Sequence, residues 1–316
     1  MNVRKVNLGT WPTPLEPAPK LSVALGLRRD DLWIKRDDLT GLGGGGNKVR
    51  KLEYICGAAL ANHAPMLITI GAAQSNHARL TAAAGARLGL DVMLVLSGMA
   101  PSTPTGNIAL DTLFGAHIRW AGNVDEHELK RIALKYVAQL SRRTIQAEYI
   151  PFGGSSVLGA QGYVDCGREL IEQMPELDQV VVAVGSGATM AGLVHALGSE
   201  HVYGVDTGAT QDPYTRVGDM VNGLGGNDVS SSLRIRTDQV GSNYSRLTNP
   251  AREALRMAAH SEGIVLDPTY TGRALAGLAA AVRDGTIHPG QRTVFLHSGG
   301  MPGLFGHPDW PGAKDF

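Results

Sequence analysis

Six short apolar runs, rich in β-branched residues, punctuate the chain at 66–70, 92–96, 118–120, 180–184, 201–205 and 293–296. Bounded by Gly or polar residues, they read as buried strands. Between them lie Ala- and Leu-rich segments with helical spacing, among them 78–88, 105–114, 188–197 and 272–282. Strands joined through helices pair in parallel, because each crossover returns the chain to the same end of the sheet. The expected fold class is α/β, with open parallel sheets covered by helices on both faces. Ligands of such sheets bind beyond the carboxyl ends of the strands. Glycine-containing turns fall at those ends, at 71–75, 185–189 and 298–303.

Glycine is the informative excess, with 41 residues in 316, clustered at 41–46, 153–154, 185–192 and 299–306. Such clusters let backbone approach a ligand closely or adopt positive φ. The formal net charge is zero, so total charge favours neither nucleic acid nor an anionic membrane. Cys56 and Cys166 are the only cysteines, which fits a reducing compartment. The first residues hold no apolar core of signal-peptide length, and no run of about 18 apolar residues occurs, so a cytoplasmic location is expected. The polar stretch 223–238 reads as a long surface loop. No linker marks a domain boundary, as expected if one domain is assembled from discontinuous segments.

Residues 35–53, KRDDLTGLGGGGNKVRKLE, run from a strand ending in Lys35-Arg36-Asp37-Asp38 through a glycine loop to a helix opened by Asn47-Lys48. A lysine that attacks a carbonyl must be partly neutral, which burial or a neighbouring cation achieves. Lys51, one turn after Lys48, can supply that cation or bind a phosphate. The competing reading is a solvated basic helix end. A nucleoside-triphosphate loop does not fit, because Asn47 follows Gly46 and Val49 follows Lys48.

Residues 71–79, GAAQSNHAR, place Ser75 and Asn76 where a helix cap belongs. Either they only cap the helix, or its first turn also holds a substrate carboxylate, with His77 beside it. Residues 180–192, VVVAVGSGATMAG, form a strand, a glycine turn and a helix, a ready phosphate cup in which Ser186 and Thr189 add hydroxyls. The same unit partly matches a dinucleotide fingerprint, with Gly185, Gly187 and, about 20 residues on, Asp206. Met190 stands where its third glycine belongs. Tyr244 and Tyr270 can cover a flat ring or simply pack. Ser298, after the last strand, can meet a ring nitrogen or be a loop serine.

Together, KRDDLTGLGGGGNKVRKLE, QSNHAR, GGSSVLGAQGY, LDPTYTG and HSGGMPGLF resemble the pyridoxal phosphate (PLP) enzymes that include D-cysteine desulfhydrase and 1-aminocyclopropane-1-carboxylate (ACC) deaminase. The resemblance runs over 12–304. It implies the tryptophan synthase β-like fold (fold type II), with two three-layer open-sheet domains. The large domain would comprise 1–53 plus 166–316, the inserted one 54–165, and PLP would lie between them. By resemblance, Lys48 is the Schiff-base lysine and Asn76 bonds the ring hydroxyl. Lys51 and Ser186-Gly187-Ala188-Thr189 hold the phosphate, and Ser298 faces the ring nitrogen. Ser75, Asn76 and His77 form the substrate-carboxylate region, and Tyr244 and Tyr270 are the active-site tyrosines. A homodimer is implied as well.

ACC deaminases resemble this chain but carry Gln at the position of His77 and Glu at that of Thr271. His77 and Thr271 match the desulfhydrases, in which a neutral hydroxyl meets the ring nitrogen and favours prompt β-elimination. Ser298 replaces their usual Thr. Segment 97–106, SGMAPSTPTG, lacks their acidic residue and longer loop. The activity implied is α,β-elimination from a small amino acid, D-cysteine first, with cysteate or ACC as alternatives. Outside that class stand a nicotinamide oxidoreductase using Gly185, Gly187 and Asp206, and a non-catalytic PLP-binding protein.

Overall fold

The computed structural model describes residues 5–227 and 229–309. The first unit along the chain is β1 (Leu15–Pro17), α1 (Pro19–Leu25), β2 (Leu32–Lys35) and α2 (Lys48–Ala61). A second unit follows: β3 (Met66–Gly71), α3 (Asn76–Leu88), β4 (Asp91–Leu96), α4 (Gly106–Leu113), β5 (His117–Trp120), α5 (Glu126–Ser141) and β6 (Ala147–Ile150). Helix α6 (Val157–Gln173) then leads to β7 (Gln179–Val184), α7 (Ala188–Leu197), β8 (Val202–Asp206), α8 (Pro213–Gly223) and β9 (Arg234–Arg236). The chain ends with α9 (Asn249–Glu262), α10 (Thr271–Arg283), β10 (Thr293–Leu296) and α11 (Met301–Leu304).

The strands form two sheets, ordered β1-β2-β10-β7-β8-β9 and β5-β4-β3-β6. All pairings are parallel except that of edge strand β1 with β2. The four-stranded sheet comes wholly from the middle of the chain, while the larger sheet draws on both sides of it. The chain is thus α/β with two open-sheet units. The expected divisions at 53/54 and 165/166 fall within α2 and α6, which pack on each other.

Every residue of β7 is buried, since the strand is central and covered twice. Val181 and Ala183 join the core beneath α1, α9 and α10, whereas Val180, Val182 and Val184 face α6, α7 and α8. In the smaller sheet, Leu67, Leu94 and Ile150 pack towards α2 and α3, and Ile68, Ile70 and Val95 pack under α5. Polar side chains fix several helix starts by accepting backbone N–H groups: Ser75 for α3, Asp125 for α5, Ser156 for α6, Asp212 for α8 and Thr248 for α9.

Two expectations are corrected. Strand β2 stops at Lys35 and residues 37–39 form a 3-10 turn. There Asp37 is pulled inward by Arg50, Thr13 and Tyr163. The stretch 223–238 is not all loop: Arg234–Arg236 pairs with β8 as the sheet's far edge. Only Ile235 of that strand is buried, so no apolar run announces it.

Candidate active site

Lys48 is the first residue of α2. All five glycines of loop 41–46 have positive φ, from 54° to 129°. At Gly45 a Cβ would lie 1.8 Å from the Asp38 carbonyl oxygen, so the close turn demands glycine. Arg79 of α3 pins the loop by donating to the carbonyls of Gly43 and Gly45, both at 2.9 Å. The Asn47 N–H donates to the Ser298 carbonyl at 2.9 Å. Lys48 is thereby fastened against the turn after β10.

These elements line a cavity between the two sheets. Lys48 and Lys51 lie on its wall with Ser75, Asn76 and His77 from the start of α3. Ser186, Gly187 and Thr189 from the start of α7, and Tyr270 and Ser298, complete the expected set that the fold brings together. Burial lowers the Lys48 pKa to about 8, despite a hydrogen bond with Lys51 that opposes the shift. Lys51 is 1 % exposed. Burial, then the Lys48 charge, holds it well below the usual lysine range. Helix α7 starts without a side-chain cap, leaving first-turn N–H groups for an acceptor.

The orientation of Asn76 follows from its neighbour. Asn107 Nδ2 donates to the Gln74 carbonyl at 2.8 Å and to Asn76 Oδ1 at 2.9 Å. A backbone carbonyl only accepts, so the Asn107 atom facing it is nitrogen, and the Asn76 atom facing that nitrogen is oxygen. Asn76 Nδ2 is therefore the atom left for a ligand.

Two expected residues lie off the cavity wall. Ala188 is fully buried and, as the first residue of α7, can offer only backbone. Tyr244 bonds the Tyr270 hydroxyl, with ring centroids 5.9 Å apart, and lines an adjoining pocket that shares Asn76 and Tyr270 with the cavity. Thr271 is also away from the wall; its hydroxyl donates to Asp267 at 2.7 Å in the turn that starts α10. Asp206 instead accepts the Gly208 N–H in its own loop, at 2.9 Å. Among the residues not anticipated, Asn47 donates to Thr189 at 3.1 Å, and Phe152, Gly153 and Gly299 line the wall. Glycine clusters had marked 153–154 and 299–306, whereas no local signal marks Phe152 or Asn107.

The cavity suits PLP. A Cβ at Gly153 would meet Ser186 Oγ at 2.2 Å and Lys48 Nζ at 3.5 Å, and one at Gly185 would meet Tyr270 at 3.1 Å. The glycines hold open a slot between an amine, a ring and an anion-accepting turn. Two buried amines without carboxylate partners among the described residues match an aldehyde and a phosphate.

Comparison with known proteins agrees. The family described as pyridoxal-phosphate dependent enzyme matches residues 6–299. A putative 1-aminocyclopropane-1-carboxylate deaminase of Pyrococcus furiosus is 36% identical, covering 96% of this chain and 94% of its own. The D-cysteine desulfhydrase of Salmonella typhi is 38% identical, over 94% of each chain. A crystal structure of an ACC deaminase homologue superposes with a TM-score of 0.88 at 36% identity, covering 98% of this chain and 95% of that one. The chain belongs to the pyridoxal-phosphate dependent enzymes of fold type II, in the family that holds ACC deaminases and D-cysteine desulfhydrases, and PLP is its cofactor.

Proposed function

We propose that the chain catalyses α,β-elimination from a small amino acid, and that D-cysteine is the substrate, giving pyruvate, hydrogen sulfide and ammonia. The observation that carries this reading is the pair of buried amines, Lys48 and Lys51, which have no carboxylate partner among the described residues and line a cavity shared with the first turns of α3 and α7.

In this reading Lys48 would hold the aldehyde carbon, while Lys51 and the 185–189 turn, with Ser186, Gly187, Ala188 and Thr189, would hold the phosphate. Asn76 Nδ2 would donate to the ring hydroxyl oxygen, and Tyr270 would flank the ring. Bound PLP supplies an electron sink for the carbanion that forms at Cα. The first turn of α3 holds the substrate carboxylate and so fixes which Cα bond is labile. Lys48 Nζ would remove the α-proton of the substrate; its lowered pKa keeps it partly neutral for that task. Ser75 and the Tyr244–Tyr270 pair complete the polar rim around the reacting carbon.

Thr271 is committed to Asp267, and Asp267 itself accepts the N–H groups of Thr269, Tyr270 and Thr271. That supports Ser298, a neutral hydroxyl, as the ring-nitrogen partner, and elimination over cyclopropane opening. The inserted unit 54–165 and the rest of the chain would enclose PLP between them, in a homodimer. Among the described residues no helix is long and apolar enough to cross a membrane.

The test is product release from D- and L-cysteine, cysteate, D-serine and ACC. D-cysteine is expected to yield pyruvate and sulfide in equal amounts. Faster release of 2-oxobutyrate from ACC would overturn the substrate assignment. Lys48→Ala is expected to abolish turnover, by ~10³-fold or more, and to prevent borohydride from fixing a pyridoxyl group to the chain.

A further inference from the structure

Three polar side chains on the cavity wall already accept a hydrogen bond from a side chain behind them. Asn76 Oδ1 accepts from Asn107, which is fully buried at the start of α4. Ser186 Oγ accepts the hydroxyl proton of Ser155, from the turn before α6, at 2.6 Å. Thr189 Oγ1 accepts from Asn47 Nδ2. With those lone pairs taken, what each side chain has left for a ligand is hydrogen. Asn76 keeps both Nδ2 hydrogens. The short gap between Ser155 and Ser186 holds one proton, that of Ser155, so the Ser186 proton turns elsewhere.

These groups are within reach of a ligand. Ser186 and Thr189 line the cavity, and Asn76 lines both the cavity and the adjoining pocket. Lys48 and Lys51 add further hydrogens, and among the described residues no carboxylate lines the wall. The wall thus donates at two separate places, the start of α3 and the start of α7. PLP brings an acceptor to each, its ring oxygen and its phosphate.

We propose that Asn107 and Ser155 are positioning residues for the cofactor. Asn107 commits Asn76 to donate to the ring oxygen, and Ser155 commits Ser186 to donate to the phosphate. Without Asn107 the Asn76 amide is free to turn and face the ring oxygen with a second acceptor. Without Ser155 the Ser186 proton is free to leave the phosphate. Asn107 sits in a helix of the smaller sheet's unit and Ser155 in the turn leading out of that unit, so both ends of the cofactor are read through it. The inference rests on the assignment of Asn76 to the ring oxygen and of Ser186 to the phosphate.

The test is equilibrium binding to cofactor-free protein of PLP, 3-deoxypyridoxal phosphate, which lacks the ring hydroxyl, and pyridoxal, which lacks the phosphate. Each variant is compared with wild type, so intrinsic differences among the aldehydes cancel. Asn107→Leu is expected to reduce the preference for PLP over the deoxy analogue roughly tenfold, the worth of one hydrogen bond to a charged acceptor, and to leave the preference over pyridoxal unchanged. Ser155→Ala is expected to do the converse, and Ser155→Thr to restore the wild-type pattern. If Asn107→Leu does not fold, Asn107→Ala serves, since the backbone N–H at 107 still donates to Gln74 Oε1 at 2.8 Å. In an Asn76→Ala background the change at 107 is expected to shift the ratio no further. Equal weakening of all three ligands, as from loosened packing alone, overturns the proposal, and so does a further shift in the Asn76→Ala background. Wild-type protein that binds all three ligands equally overturns the underlying assignments of Asn76 and Ser186, and the proposal with them.

Discussion

On one side of α2, Arg50 is gripped by Asp37 at 2.8 and 2.9 Å and by Glu169 at 2.6 Å, and lies 4.2 Å from the Trp11 ring centroid. Nearby, Lys35 donates to the Thr13 carbonyl and to Gln173. On the other side, Lys48 and Lys51 have each other and, among the described residues, no carboxylate within ion-pair distance. Burial acts on both sides. It would raise the Asp37 pKa, yet Arg50 beside it, aided by bonds from Arg50 and Tyr163, holds that carboxyl below its usual range. Lys48 and Lys51 have no such partner, and their pKa values fall instead. A buried charge is costly unless paired. The paired side joins β2, α2 and α6, whereas the unpaired side leaves its counter-charge to a ligand.

Asp37→Asn breaks the paired side. It leaves Arg50 short of an anion and weakens bonds from Thr13 and Tyr163. Losing one partner of a buried ion pair costs about 3–5 kcal/mol. At about 2 °C per kcal/mol for a chain of this size, the melting temperature should fall by roughly 6–10 °C. Calorimetry of the PLP-loaded protein checks this; a fall of less than about 2 °C would mean that this side is no better paired than the other.

Lys51→Met should act in the opposite sense. Removing a buried cation with no anion is expected to stabilise the cofactor-free protein by about 1–3 kcal/mol near neutral pH. The sign with pH follows from linkage. The folded-state pKa of Lys51 lies below its unfolded value, so the unfolded chain binds more protons between the two. Wild-type stability therefore rises with pH across that window, and the advantage of Lys51→Met fades towards the unfolded lysine pKa of about 10.4. The same variant should gain less stability than wild type from added PLP. Denaturant titrations of both forms at several pH values test the two halves separately.

The two sides differ also in how far the sequence discloses them. Strand β7 is legible because burial on both faces made every position apolar, whereas Arg-Ile-Arg in β9 is not, because an edge strand needs only one buried residue. Lys48 alone is a basic residue after a glycine loop. It becomes legible only with Ser75, Asn76, Ser186, Thr189 and Ser298, five residues drawn from three other turns. Asn107 stays hidden because it acts on Asn76 through a bond set by tertiary packing. Lys35 and Arg50 read as ordinary charges for the same reason: their partners Glu169 and Gln173 lie more than a hundred positions away in the chain.

The gentlest perturbation of the unpaired side is a proton. Attack by Lys48 on an aldehyde needs the neutral amine, and its pKa is lowered to about 8. The rate of cofactor attachment to the cofactor-free protein should therefore be flat above about pH 8 and fall towards tenfold per unit below it. Stopped-flow absorbance with pyridoxal, which lacks the phosphate, isolates this titration from charge brought in by the ligand. The hydrogen bond from Lys51 opposes the lowering, so Lys51→Met should move the midpoint further down. A wild-type midpoint near the ordinary lysine value would mean that solvent or an anion reaches the pair, and the contrast between the two sides of α2 would collapse. A midpoint near 8 that drops in the variant would show that burial alone makes this lysine a nucleophile and that Lys51 moderates the effect.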